Sequence, residues 1–178
     1  MELLRFGVKF FAENPAAVRL EEFIPVFHRW IQKHTVGGLL VDVADYSHVA
    51  QGPGVLLVGH EADFYMDEAE GPLGLLYSRK LPFEGTFADR VEQGLRTALD
   101  ACAKLVAEPE LKGRLTFRTG EALFLANDRL AAPNTEAAFA GLKPGLETAG
   151  RKLFPKGVAV TREGADPRGR LAARLRSL

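Results

Sequence analysis

The chain has 178 residues, of which 47% are hydrophobic and 26% are charged, a balance typical of folded rather than disordered proteins. Its 23 basic residues offset 23 acidic ones, so the zero net charge argues against nucleic acid and membrane surfaces as partners. A single cysteine excludes an intramolecular disulfide framework. No linker-like change in composition divides the sequence, which predicts one domain over residues 1–178.

The sequence carries no recognisable targeting segment. It lacks a secretory signal, and no apolar run reaches the roughly 20 residues that cross a bilayer, so we expect a cytoplasmic protein. Five arginines lie between positions 162 and 178. We expect residues 163–178 to form either a basic tail or an edge strand.

Periodicity predicts a strand, a helix and then several strands in the first half. Apolar residues alternate over residues 4–10, which predicts a strand, and a helical stripe over residues 20–34 predicts a helix that ends before Gly37 and Gly38. Three further strands are predicted at residues 39–44, 55–66 and 73–79. The acidic, Gly- and Pro-containing segment 67–72 predicts a hairpin turn between the last two.

A long helix opens the second half. Thr86 and Asp89 form a capping-box pattern, and an apolar face continues from Phe87 to Val106 until Pro109 ends the helix. Cys102 lies on that face, which predicts a buried and inert thiol rather than a nucleophile.

The remaining segments predict a second hairpin, a third helix and C-terminal strands. Residues 114–119 and 121–126 alternate around a Thr-Gly turn. Asn134 or Thr135 can cap the third helix, which Pro144 should kink or divide. The order becomes β-α-β-β-β-α-β-β-α-β, with one further strand near residues 170–175. It predicts an α+β fold, with about three helices packed on a mixed, mainly antiparallel sheet.

The most distinctive polar residue is His60, in the predicted strand 55–66. Alternation along a regular strand places His60 on the apolar face and sends Glu61 and Asp63 to the other face, so the three do not form a metal triplet. We therefore expect a buried His60 that bonds to Asp42 of the neighbouring strand. Such a pair suits either proton transfer or the satisfaction of a buried polar group.

Two loops carry the remaining candidates. Residues 45–54 follow a strand and include Tyr46 and His48, which could form the rim of a pocket, although no nucleophile-elbow or P-loop pattern is present. Residues 127–135 lead to a helix start, where anions bind favourably. The ligand-binding candidates around this second loop are Arg118, Asp128, Arg129 and Asn134.

These features favour non-catalytic binding over catalysis. We expect a small anionic ligand or a protein partner to bind through the two loops and an open sheet edge, and a homodimer is compatible with the sequence. The alternative is a small enzyme that uses Asp42 with His60 or His48 for general acid–base chemistry. The four histidines and the cysteine match no zinc spacing, so neither a metal nor another cofactor is expected.

Overall fold

Residues 3–178, which the computed structural model describes, contain eight β-strands and three α-helices. The strands are β1 Phe6–Phe11, β2 Leu40–Tyr46, β3 Gly54–Gly59, β4 Ala62–Asp67, β5 Gly74–Arg79, β6 Glu121–Ala126, β7 Val158–Glu163 and β8 Ala172–Ser177. The helices are α1 Phe23–Lys33, α2 Phe87–Ala107 and α3 Glu136–Leu153. Short 3-10 turns at Pro15–Ala17 and Leu20–Glu22 precede α1.

All the strands of the described chain form one antiparallel sheet in the order β2-β3-β4-β5-β1-β6-β8-β7. The first strand in the sequence is therefore central, and it pairs with β5 and β6. The predicted α+β class, with three helices and a mainly antiparallel sheet, is confirmed.

The main core lies between the sheet and the helices, which cover the same face. Phe6, Val8 and Phe10 alternate inward from β1 and are fully buried. The Phe6 ring stacks on Phe124 of β6 at 5.8 Å, and Phe124 meets the edge of Phe87 on α2 at 6.0 Å. Each such aromatic side chain contributes about 1.5–3 kcal/mol through burial, so the central strands anchor the helices.

The ends of α2 and α3 follow the predicted capping chemistry. Thr86 and Asp89 form the capping box of α2 through reciprocal side-chain to backbone bonds. At the start of α3, the Thr135 hydroxyl accepts from the backbone N–H of Ala138 at 3.2 Å. Cys102 is buried on the inner face of α2, as predicted.

Helix α3 runs through Pro144 as one continuous element, so of the two predicted alternatives, a kink or two short helices, the second is wrong. Proline removes the hydrogen bond to the carbonyl of Ala140, but both residues are exposed, so water can solvate that carbonyl. Burial of Leu142, Leu146 and Ala149 against the core holds the helix on both sides of the proline.

Three strand predictions need correction. The predicted strand 55–66 is the hairpin β3–β4, which turns at His60 and Glu61. Residues 114–119 form no strand and make a single bridge, between Phe117 and Ala12, because β6 already pairs with β1 and β8. The C-terminal segment is neither a tail nor an edge, since β8 lies between β6 and β7. Within residues 3–178, none of the helices has the length and apolar character to span a membrane.

Candidate functional site

The two candidate loops lie at opposite ends of the sheet. Residues 47–53 connect β2 to β3 beside Asp67, whereas residues 127–135 leave β6 at Ala126, which pairs with Phe6 at the other end of β1. A strand of six residues spans roughly 20 Å. The loops therefore do not converge on one cavity.

The predicted buried pair of His60 and Asp42 is wrong. Both residues are exposed, because His60 lies in the β3–β4 turn rather than inside a strand. The backbone N–H of His60 donates to Leu39 O at 2.8 Å, and Asp42 Oδ1 accepts from its own neighbour, Val43 N, at 2.8 Å. No hydrogen bond joins the two side chains within the described chain.

The other histidine candidate, His48, lies at the far end of the sheet. Its exposed ring stacks on Tyr46 with 6.5 Å between ring centroids. The adjacent Asp45 accepts from Ser47 N at 2.9 Å, and hydrogen bonds from the side chain and then the backbone of Ser47 lower the pKa of Asp45. The arrangement is that of an exposed turn, without a pairing of His48 with Asp42.

The remaining candidate site residues do not lie together in the structure. Asn134 is buried and structural: its amide donates to Asp166 O at 2.9 Å and accepts from Arg162 Nε at 3.0 Å. Asp128 holds its own loop through two backbone N–H groups. The two arginines lie apart, because Arg118 precedes β6 and Arg129 follows it. They cannot clamp one anion together.

The sheet face opposite the helices, here called the open face, carries a polar network. Lys9 lies at its centre, fully buried, with Nζ 2.7 Å from Asp67 Oδ2. Towards the end of the sheet, Asn127 donates to Ser78 Oγ at 3.0 Å and accepts from Arg170 at 2.7 Å. These contacts give the polar side chains hydrogen-bond partners on a face that no helix covers.

A depression of about 440 Å³ lies at one end of the open face. Its rim includes Arg5, His60, Ser78, Arg79, Lys80 and Asn127. Lys80 is already paired with Asp63 at 2.7 Å, whereas Arg5 is exposed and makes no ion pair with a described residue. Cations this exposed are screened by water and bind anions weakly.

A second, more enclosed cavity of about 190 Å³ lies on the helix-covered side, at the same end of the sheet. We call it the Arg79 cavity, and its polar lining includes Gly38, Glu61, Tyr77, Arg79, Gln93 and Thr97. Apolar walls come from Leu40, Phe64 and Phe83. A volume of this size corresponds to about six water molecules, so it suits a ligand of fewer than about ten non-hydrogen atoms.

Arg79 is the principal charged group of this cavity. It ends β5 on the same inward-facing row as Leu75 and Tyr77, and its side chain is only 10% exposed. The guanidinium lies 3.9 Å from the centre of the Phe83 ring and contacts Glu61 Oε2 at 3.3 Å. Arg79 Nε donates to Leu81 O.

Tyr77 adds a neutral donor beside the guanidinium. Burial raises the pKa of Tyr77, and the neighbouring Arg79 opposes this shift only in part. The phenol therefore keeps its proton at neutral pH. An arginine has five N–H donors, and Glu61, Leu81 and Tyr77 together cannot occupy all of them. At least one N–H group of Arg79 is consequently left for a further acceptor.

Local sequence explains how the β3–β4 hairpin forms one wall. A Cβ at Gly59 would lie 2.4 Å from Ala62 O, so only glycine permits this close turn. Asp63 then braces the turn, since its Oδ1 accepts from Gly59 N at 3.0 Å and from Lys80 Nζ at 2.7 Å. The hairpin thereby holds Glu61 beside Arg79.

Sequence reasoning missed Arg79, Glu61 and Tyr77 as site residues. The alternation of side chains along β5 could have revealed Arg79. Leu75, Tyr77 and Arg79 share one face of the strand, and an arginine on an inward-facing row is uncommon. Across residues 3–178 no three His, Cys, Asp or Glu side chains are grouped as a metal site requires. The charged groups of the cavity suit ligand recognition by ion pairs and hydrogen bonds.

Comparison with known proteins finds no matching family model, no similar curated protein and no similar solved structure. The fold and the cavity define an α+β protein with a small cavity that is lined in part by charged side chains. The chemistry of the described side chains is therefore the basis for assigning a function.

Proposed function

We propose that the protein binds a small ligand through a carboxylate group in the Arg79 cavity, without transforming it. One observation carries the proposal: a guanidinium that is only 10% exposed lines a partly enclosed space of about 190 Å³ and retains N–H groups that no described acceptor occupies. Arginine recognises carboxylates because its planar fork can donate two parallel hydrogen bonds.

Burial explains why this cavity is preferred to the open-face depression. Arg79 borders both spaces, but the Arg79 cavity is the more enclosed of the two, and a charge interaction gains strength where water is excluded. The anionic ligand expected from the sequence is kept, but its site moves from the two loops to this cavity.

Calorimetric titration with isovalerate, a carboxylate of suitable size, tests the proposal. We expect saturable binding that Arg79→Met abolishes. Gln93→Glu adds a negative charge on the exposed surface of α2 at the cavity, so it should weaken binding by at least about threefold. Arg118→Met is the matched control, because Arg118 is half-exposed at the other end of the sheet.

Thermal melts of each variant identify any loss of folding, and Gln93→Glu keeps the test informative if Arg79→Met unfolds. The proposal fails if small carboxylates do not bind the parent protein. It also fails if folded Arg79→Met and Gln93→Glu bind isovalerate as tightly as the parent.

A second candidate function is pairing with a protein partner or a second copy along β2. This strand is an edge of the sheet, and both Leu39, which precedes it, and Val41, which lies within it, are exposed, by 63% and 60%. Unpaired edge strands can add a strand from another chain. Sedimentation should then show self-association that Val41→Lys removes, and a monomer at all concentrations would exclude the second copy.

A further inference from the structure

Glu61 gives the Arg79 cavity a negative charge next to its positive one. The Glu61 side chain is 46% exposed and meets Arg79 through one long contact of 3.3 Å from Oε2. Its other carboxylate oxygen, Oε1, accepts no hydrogen bond from the residues that the structure describes. An acceptor is therefore free beside the proposed carboxylate position.

The space next to Glu61 is kept open by the backbone. A Cβ at Gly38 would lie 3.5 Å from Glu61 Oε2, and Gly38 has a φ of +90°, which a larger residue adopts only with strain. The loop between α1 and β2 thus passes close to the carboxylate without filling the cavity. A compact cationic group of a ligand can lie there.

The charge balance of the cavity also restricts the ligand. Arg79 and Glu61 sum to zero, so a simple anion would contact Arg79 while a neighbouring carboxylate repels it. A zwitterion presents its carboxylate to Arg79 and its ammonium to Glu61, and it leaves the cavity neutral. A site with one positive and one negative group favours a ligand whose own charges are complementary to both groups.

We propose that the ligand is a free α-amino acid with a small apolar side chain. This inference rests on the proposed carboxylate binding and adds the ammonium site at Glu61. The apolar part of the ligand would contact Leu40, Phe64 and Phe83, which line the same space. A cavity of about 190 Å³ accommodates a ligand the size of valine.

Valine and isovalerate make a matched pair, because isovalerate has the valine skeleton without the amino group. Calorimetry at neutral pH should show that valine binds about fivefold more tightly than isovalerate, which is the scale of a partly exposed ion pair. Glu61→Gln should reduce this ratio to about one. Glu21→Gln is the control, since Glu21 is exposed and does not line the cavity.

The outcomes separate the two proposals. If neither ligand binds the parent protein, the proposed function itself is wrong. If isovalerate binds but valine has no advantage, or if Glu61→Gln keeps the full valine advantage, carboxylate binding stands and the amino acid assignment is overturned. Because Glu61 meets Arg79 through one long contact and is itself 46% exposed, Glu61→Gln should shift the thermal melt only slightly from that of the parent.

Discussion

Lys9 is the residue whose environment most depends on the completed fold. It points to the open face of the central strand, yet it is fully buried. Its ammonium donates to Asp67 Oδ2, Asp67 O and Glu70 O at 2.7, 3.0 and 3.1 Å. Burial lowers the pKa of Lys9, and Asp67 opposes that shift. The pair fastens the β4–β5 turn over the sheet.

Removing the cation should leave Asp67, which is 2% exposed, buried without its partner. We expect Lys9→Met to lower the free energy of unfolding by about 3–5 kcal/mol, and the double variant Lys9→Met with Asp67→Asn to recover part of that loss. Urea denaturation measures both, with Lys33→Met as an exposed control. A single variant as stable as the control would show that the pair contributes nothing.

At the scale of elements, the β3–β4 hairpin links the fold to the proposed site. Gly59→Ala should destabilise the protein by about 1–3 kcal/mol, because its Cβ meets the fixed backbone oxygen of Ala62. Isovalerate binding should fall with it, since the turn at Gly59 forms one wall of the Arg79 cavity. Gly37→Ala is a matched control in the same cavity, because its Cβ meets nothing within 4 Å.

Chemical denaturation and calorimetry of both glycine variants check this prediction. Equal stability of Gly59→Ala and Gly37→Ala would contradict the close approach in the turn. Unchanged isovalerate binding by Gly59→Ala would show that the hairpin does not shape the binding site.

Elements whose formation depends on nearby residues could be predicted from the sequence. Elements that depend on which strands pair in the folded sheet could not. The capping box at Thr86 and Asp89 and the apolar stripe of α2 are local, so that helix was predicted almost to its ends. The predicted strand 55–66 was instead too long, since strands average five to six residues. That length was a signal for a turn at Gly59 and His60.

Residues 114–119 form no strand because neither side of the neighbouring strand was available for pairing. Their alternation is strand-like, but β6 has a neighbour on each side, so no edge was open to them. The site was missed for a related reason. Arg79, Glu61 and Gln93 come from β5, a turn and α2, and only the folded chain brings them to one cavity.

At the scale of the whole molecule, surface ion pairs join segments that are far apart in sequence. Glu22 contacts Arg114 at 2.5 Å, which connects the turn before α1 to the segment after α2. The hydrogen bond from Arg114 is the largest cause that lowers the pKa of Glu22 from 4.5 to about 2. Contacts with basic side chains also lower the pKa of Glu92 and Glu110.

Because the pKa values of these carboxylates are lowered by contacts of the folded chain, the stability of the fold depends on pH in the acid range. Below pH 4.5 the unfolded chain takes up a proton at Glu22 before the folded chain does, so this contribution is present above pH 4.5 and is lost as the pH falls through about 2. Glu22→Gln should lower stability by at most about 1 kcal/mol near neutral pH and flatten its fall in acid. Urea denaturation across this range measures both, and an unchanged pH profile would contradict the pairing.

The central claim is that the ligand binds in the Arg79 cavity rather than at the two loops. Amide chemical-shift mapping of the folded protein during titration with isovalerate tests it most directly. The expected result is that the largest shifts occur at Gly37, Gly38, Glu61 and Gln93. Shifts concentrated in residues 45–54 or 127–135, or an absence of shifts at saturating carboxylate, would contradict it.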